Sequence, residues 1–262
     1  DVGGQYDANR YFDHHQSESI KEHPCGASYA SFGLVWDYCA HEIVLERLRE
    51  YSSEKEGDIS LAPIAGRVED ALVSMVDGLD TASWPDMPKG TFTVSNILAG
   101  MNTVDISDEE KQDAAFAKAV LFGVEILLNV VDENVRYEVS LTAVKQCLEK
   151  AEDRVLVSDN YETAMTAVPN LDPAGEILYT VFPSAKDWMV QQVAVATGSF
   201  KGRKPLPREW AKLRGEELAE VTGVEDSVFC HPGRFVCGAS SKEGAIRLAN
   251  LAVEAAVEEE ES

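Results

Sequence analysis

The residues best equipped for chemistry begin with a short run near residue 13. Asp13, His14 and His15 are consecutive, Asp1 precedes them, and Asp77 and Asp80 lie further along. Two imidazoles and several carboxylates form a nitrogen and oxygen donor set. Such a set suits Mn2+, or alternatively Mg2+, better than a thiolate-rich site would. A divalent ion held this way lowers the pKa of water and neutralises phosphate charge, which is what phosphoester hydrolysis requires. Adjacent side chains in a strand point to opposite faces, so a strand cannot aim both histidines at one ion. At a strand-to-loop junction one imidazole can ligate while the other reaches a phosphate. Asp13 can then orient an imidazole by accepting its second N–H. Taken alone, the tripeptide also fits a surface or capping role.

A second chemical feature is a strip of cations. Lys201, Arg203, Lys204, Arg208, Lys212 and Arg214 stand within 14 positions, opposed there only by Glu209. The chain as a whole carries 23 Lys and Arg against 46 Asp and Glu, a net charge of −23. That excess repels polyanions at long range, so any nucleic acid would have to be gripped by this strip. A solvated face balancing acidic neighbours is the alternative reading. Trp188 and Trp210 could stack on bases or serve as packed core.

These residues must be positioned by a body of 262 residues, 45% apolar and 26% charged, enough for one large or two smaller globular domains. No run approaches the ~18 apolar residues of a membrane span, so no membrane partner is expected. Cys25, Cys39, Cys147, Cys230 and Cys237 are odd in number and form no Cys-x-x-Cys pair, which argues against a disulfide framework or structural zinc. A reducing cytoplasm and small buried thiols are the expectation. Residues 11–12 read as a short strand running into the histidines. Helical spacing spans 31–49 and 59–79, and a breaker-rich loop covers 84–90. Ser107 and Glu110 fit a capping box ahead of a helix reaching Val131, with a second helix at 139–151. Strand-like runs follow at 155–157, 177–182 and 189–195. Pro205 and Pro207 bracket a turn, and a last helix spans 241–257, capped by Ser240 and Glu243. A boundary near Asp153 gives domains 1–152 and 153–257, with an acidic tail at 258–262. Periodicity points to α/β layers.

Several blocks then line up in order with one family. Asp1-Val2-Gly3-Gly4-Gln5-Tyr6-Asp7 and Tyr11-Phe12-Asp13-His14-His15-Gln16 resemble the signature of the melanocyte proliferating gene family, DHH-like proteins with members described as 3′–5′ RNA exonucleases. Ser31-Phe32-Gly33-Leu34-Val35-Trp36 resembles its Ser-Ser-Ala-Gly-Leu segment, and Val76-Asp77-Gly78-Leu79-Asp80 its Asp-Ala-x-Asp-Asn-Gly motif. The 199–210 stretch resembles its Phe-x-x-Arg-Lys-Pro-Leu-Pro-x-x-Trp block. The 228–245 stretch resembles its Phe-x-His…Gly-Phe-Ile-Gly-Gly…Glu-Gly-Ala ending. The resemblance implies a parallel, doubly wound DHH-type sheet, N-terminally truncated, followed by a smaller α/β domain of the DHH-associated kind. It implies metal ligation by Asp1, bridging two ions, by His14, and by Asp77 or Asp80. It also implies contact of His15 with the scissile phosphate, with Asp13 in the catalytic set. Substrate would be held by Lys201, Arg203, Lys204, His231, Gly233, Arg234, Gly238 and Lys242, the 233–238 loop offering backbone N–H groups to phosphate.

There are departures. Thr81-Ala82 replaces the family's Asn-Gly, and Arg234 and Cys237 stand where it has glycines. No His-x-Gly-x-Phe-His-x-Asp-Glu segment is matched, so the true start is expected upstream and the chain is expected to hold about half of a two-ion site. The resemblance implies a two-ion (Mn2+) phosphodiester hydrolase, a 3′–5′ exonuclease on RNA or single-stranded nucleic acid, with eukaryotic relatives in nuclei or mitochondria. The alternatives are a hydrolase of small phosphoesters or oligonucleotides, which the net charge suits, and a non-catalytic nucleic-acid-binding protein retaining the fold.

Overall fold

A computed structural model describes residues 6–7, 11–16, 21–51, 59–84, 90–102, 107–160 and 163–256. The chain divides into two compact units, Asp1–Arg136 and Tyr137–Ser262.

The first unit is built on helices. Strands β1 (Tyr6–Asp7) and β2 (Tyr11–Phe12) pair antiparallel, and a single 3-10 turn, His14–Gln16, follows. Helix α1 (Ser31–Tyr51) turns Trp36, Ala40, Val44 and Leu48 inward at four-residue spacing, one stripe of an α-helix. The expected 59–79 helix forms in three sections. These are α2 (Leu61–Val68), a π-helical turn (Glu69–Val73) and α3 (Ser74–Asp80). Ile64, Val68, Leu72 and Val73 are buried along the first two of them, and Val131 and Val135 add to the unit's core. Short α4 (Val94–Gly100) carries a capping box at Thr93 and Asn96.

The parallel, doubly wound sheet expected here is not found among the described residues. The unit's apolar residues recur at helical spacing, and its short extended pieces pair antiparallel. Asp1 and part of the 84–90 loop lie outside the described residues.

Helix α5 (Glu109–Glu149) corrects two further expectations. Helices expected to end at Val131 and to restart at 139 are one continuous 41-residue helix, whose interior holds no proline. Its cap is Asp108 rather than Ser107: Oδ1 accepts from Lys111 N at 3.1 Å. By length and composition α5 is also apolar enough to cross a membrane, and its most apolar 18 residues are only 6% buried. Phe116, Val120, Leu121 and Val124 are exposed along it. Lys118 and Glu125 interrupt the apolar sequence along this stretch.

The second unit holds a five-stranded mixed sheet in the order β3-β4-β5-β7-β6. Strand β3 (Val155–Val157) runs parallel to β4 (Tyr179–Pro183). The ladders from β4 to β5 (Trp188–Gln192), from β5 to β7 (Val236–Ala239) and from β7 to β6 (Ser227–Cys230) are antiparallel. The expected strands at 155–157, 177–182 and 189–195 are therefore present, the last two with shifted ends. Alternation assigns the faces. Val155 and Val157 join one cluster with Val181, Val190, Leu218 and Leu248. Leu156 joins another with Val144, Ile177 and Val193. Helix α8 (Lys242–Glu254) covers the first face, and the last turns of α5 with α6 (Val168–Leu171) pack on the second cluster. Helix α7 (Gly215–Thr222) packs on β6 and ends at Gly223, whose left-handed φ of 67° closes it. The cap of α8 is Ser241, accepting from Gly244 N, not Ser240.

The five cysteines are free thiols, but only Cys230 and Cys237 are buried, which narrows the expectation that most would be. These two face each other across β6 and β7. Burial pushes the Cys230 thiol up to about 11 and Cys237 higher still.

Candidate functional site

The His14–Gln16 turn resolves the geometric problem of the histidine pair. In a 3-10 turn successive side chains are about a third of a revolution apart rather than opposed. The two rings lie with centroids 4.0 Å apart. Asp13 is buried, and its Oδ1 accepts from the His15 backbone N–H at 3.0 Å and lies 3.2 Å from His15 Nδ1. A histidine that gives its Nδ1 proton to a carboxylate presents Nε2 as its lone pair. The potential ligand atoms of Asp13, His14 and His15 all lie within 4.8 Å of one another. Three mixed N and O donors at that spacing fit one divalent ion of the Mn2+ or Mg2+ class. His14 Nδ1 lies 3.4 Å from Ser31 Oγ, which ties the turn to the start of α1.

The same helix start engages Asp77. Its Oδ1 accepts from Gly33 N at 3.0 Å and its Oδ2 lies 2.9 Å from His23 Nε2. His23 Nδ1 meets Glu69 Oε1 at 2.7 Å, and the Tyr29 hydroxyl donates to the same oxygen at 2.9 Å. Tyr29 also stacks on the His23 ring at 3.8 Å. Burial, then the hydrogen bond and charge of Glu69, push the Tyr29 phenol upward, so its hydroxyl stays a donor. Asp77 thus sits in a closed buried network, both oxygens occupied, while Asp80 is exposed at the end of α3. Asp1 lies outside the described residues.

Sequence reasoning missed His23, Glu69 and Tyr29. The π turn explains how they meet. Glu69 and Asp77 are eight residues apart, roughly 80° out of phase on a regular helix. One extra residue in the π turn restores the phase of a seven-residue separation, so both carboxylates reach one imidazole.

In the second unit the expected substrate residues are placed very differently from one another. Lys201 is exposed. Arg203 donates from Nη1 to Asp172 Oδ2 at 2.6 Å and to Ile177 O at 2.8 Å, and from Nη2 to Asp172 O at 2.7 Å. Lys204 is buried, and its Nζ donates to Val253 O and Ala255 O at 2.8 and 2.7 Å. Burial lowers its pKa. The substrate role expected of Arg203 and Lys204 therefore gives way to a structural one. The first is locked to Asp172 and the second closes the C-terminal end of α8. His231 and Gly233 lie in the exposed β6–β7 turn, where Gly233 N donates to His231 Nδ1 at 3.0 Å. Arg234 adopts φ 56° there and donates to Leu206 O at 3.3 Å. Gly238 is buried inside β7, opposite Met189 and Phe229. It therefore lies in the ladder and not in the phosphate-facing loop expected over 233–238. Lys242 pairs with Asp159 and stands 5.5 Å over the Trp188 ring. Trp210 is packed core.

Comparison with known proteins places this geometry in context. The family model MYG1_exonuc, described as an uncharacterised protein family (UPF0160), matches residues 1–253. The chain is 27% identical, over 97% of its length and 83% of the relative's, to a MYG1 protein of Schizosaccharomyces pombe. It is 27% identical to the MYG1 exonuclease of Homo sapiens over 95% of the chain and 72% of that protein. A MYG1 protein of Chlamydia muridarum is 28% identical over 96% of the chain and 79% of its own length.

Proposed function

The chain belongs to the MYG1_exonuc family, and from that premise we propose that it is a nuclease, a metal-dependent phosphodiester hydrolase acting 3′–5′ on RNA or another single strand. The observation that carries this reading is the Asp13, His14 and His15 cluster, three donors converging within 4.8 Å beside the start of α1. The similarity to the MYG1 exonuclease of Homo sapiens supports it.

Asp13, His14 and His15 would hold the divalent ion, with Asp1 and Asp80 as further candidate ligands. Such an ion, when bound, acidifies water and neutralises phosphate charge. The protein's own contribution is positional. Asp13 fixes the rotation of the His15 ring, and Ser31 fixes that of His14. The buried Asp77–His23–Glu69 chain holds the first turn of α1, against which the His pair rests. His15, with its side chain 64% exposed, would keep the ion it helps to hold open to a phosphate oxygen from solution.

Incubation with Mn2+ and 5′-labelled RNA should give a ladder of progressively shorter labelled products. A 3′-blocked strand should resist. His14→Ala should slow the reaction by more than ~100-fold, since even groups that only orient a ligand contribute 10- to 100-fold. Wild-type rates in that variant would overturn the assignment.

A second reading is favoured by one observation. With Arg203 and Lys204 engaged internally, four cations of the strip, Lys201, Arg208, Lys212 and Arg214, are left to grip a long strand against a net charge of −23. This favours short oligonucleotides or small phosphoesters as substrates. Rates that are independent of length above two or three nucleotides, and insensitive to salt, would support it.

A further inference from the structure

Phe200 is fully exposed, at 103%, yet it sits on a closed and well-bonded loop. Ala194 and Gly202 bridge its base, Val195 N donates to Lys201 O at 2.9 Å, and Ser199 N donates to Ala196 O at 3.0 Å. Lys201 N donates to Ser199 Oγ at 3.1 Å, and Thr197 Oγ1 tethers the tip to Thr166 O at 3.4 Å. The ring is therefore held in water by its surroundings, at the full hydration cost of an exposed aromatic.

Against the loop lies a cavity of about 330 Å3, lined in part by Thr180, Phe182, Gln191, Gln192, Thr197 and Phe200. Its size falls within the ~300–1,000 Å3 of small-ligand sites. No charged side chain among the described residues lines it, which favours a neutral ligand over a phosphate or a carboxylate. Its walls combine aromatic surface with the Gln191 side-chain amide and hydroxyls. That chemistry suits a flat, neutral group with hydrogen-bonding edges. Gln191 shares this face with its strand partner Thr180, whereas Gln192 turns to the other face and packs its amide on Gly202, where a Cβ would fall 2.0 Å from Gln192 Cδ. The neighbouring Lys201 is an exposed cation of the basic strip.

We propose that the 194–202 loop and this cavity form a nucleobase subsite for a single strand. A base stacks on Phe200, its polar edge meets the Gln191 amide and the Thr180 hydroxyl, and the adjoining phosphate pairs with Lys201. Every base offers a π face, so the subsite tolerates sequence and discriminates bases from bare backbone. The inference rests on the reading of the protein as one that acts on nucleic acid.

The test is fluorescence anisotropy of the full chain with a labelled ten-nucleotide RNA and with an abasic strand of equal length, at fixed salt. Phe200→Ala should weaken RNA binding roughly 5- to 100-fold and leave abasic binding unchanged. Phe200→Trp should restore it, and Lys201→Ala should weaken both strands. Phe200 is exposed, so its variants should melt with the wild type. Equal RNA affinity in Phe200→Ala, equal losses on both strands, or a change in oligomeric state on removing the ring would each overturn the subsite. Hydrolysis separates the two claims. RNA cleavage with Phe200-independent binding sinks the subsite alone, whereas Phe200-dependent binding without any cleavage sinks the nuclease reading alone.

Discussion

Gly33 lies where the first turn of α1 meets a buried carboxylate. A Cβ at this position would stand 1.9 Å from Asp77 Oδ2, which is also bonded to His23. The carboxylate is fully buried, so it cannot swing aside without losing both partners. Gly33→Ala should therefore cost about 3 kcal/mol or more, at the upper end for overpacking, and chemical denaturation would read it as a lower midpoint. A melting midpoint equal to wild type would mean that Asp77 does not hold the helix start. Lys204 allows a second residue-scale prediction. Its ammonium satisfies two carbonyls at the end of α8, so Lys204→Met should lower stability by about 1–3 kcal/mol while leaving RNA affinity at fixed salt unchanged. Lys201→Ala should do the reverse. Residue types alone could not separate these lysines, three positions apart in one basic block. The Asp13, His14 and His15 cluster was legible because its members are adjacent. His23 was not, because its partners lie 46 and 54 positions away and no local pattern links them.

At the scale of elements, local pattern succeeded where one element buries one face. Helix α1 and strands β3, β4 and β5 carry their own periodicity, and their places were legible to within a few residues. The π turn was not, since one inserted residue leaves the apolar pattern of 59–79 intact while rotating everything beyond it. The doubly wound sheet came from the resemblance and not from periodicity, and the first unit is helical among the described residues. That unit is also cross-braced by an ion pair between α1 and α5. Arg47 donates from Nε to Asp132 Oδ1 and from Nη2 to Asp132 Oδ2, each at 2.5 Å. The guanidinium holds the Asp132 carboxyl below its usual range. In the second unit, burial pushes Asp172 up, but the N–H groups of Ile177 and Glu176 and the Arg203 guanidinium more than reverse this, and its net shift is also downward. A depressed carboxyl contributes stability that is complete above its unfolded value of about 3.9 and is lost as pH falls through the lower folded value. The melting midpoint should therefore decline as pH is taken from about 5 towards 2. An Arg47→Leu, Asp132→Leu double variant, free of that pair, should decline less steeply. Identical slopes would show that the brace adds nothing to acid stability.

The molecule as a whole is governed by a net charge of −23. Repulsion among so many carboxylates opposes compaction, and added salt screens it once the Debye length, ~10 Å at 0.1 M, drops below the spacing of surface charges. Raising KCl from about 0.05 to 0.5 M should therefore raise the melting midpoint, against the usual weakening of isolated surface pairs. Strand binding should respond with the opposite sign. Each phosphate neutralised by a lysine or arginine releases counterions, so affinity falls linearly in logarithmic coordinates with a slope near −0.7 per contact on a single strand. With Arg203 and Lys204 engaged internally, four cations of the strip, Lys201, Arg208, Lys212 and Arg214, remain exposed to make such contacts. The slope should thus be no steeper than about −3, and Lys201→Ala should reduce its magnitude by roughly 0.7. A slope steeper than about −4 would require a larger cationic surface than the strip provides, and would favour long RNA over short strands as the substrate. Measured on one sample, the two salt responses separate the charge that burdens the fold from the charge that meets the ligand.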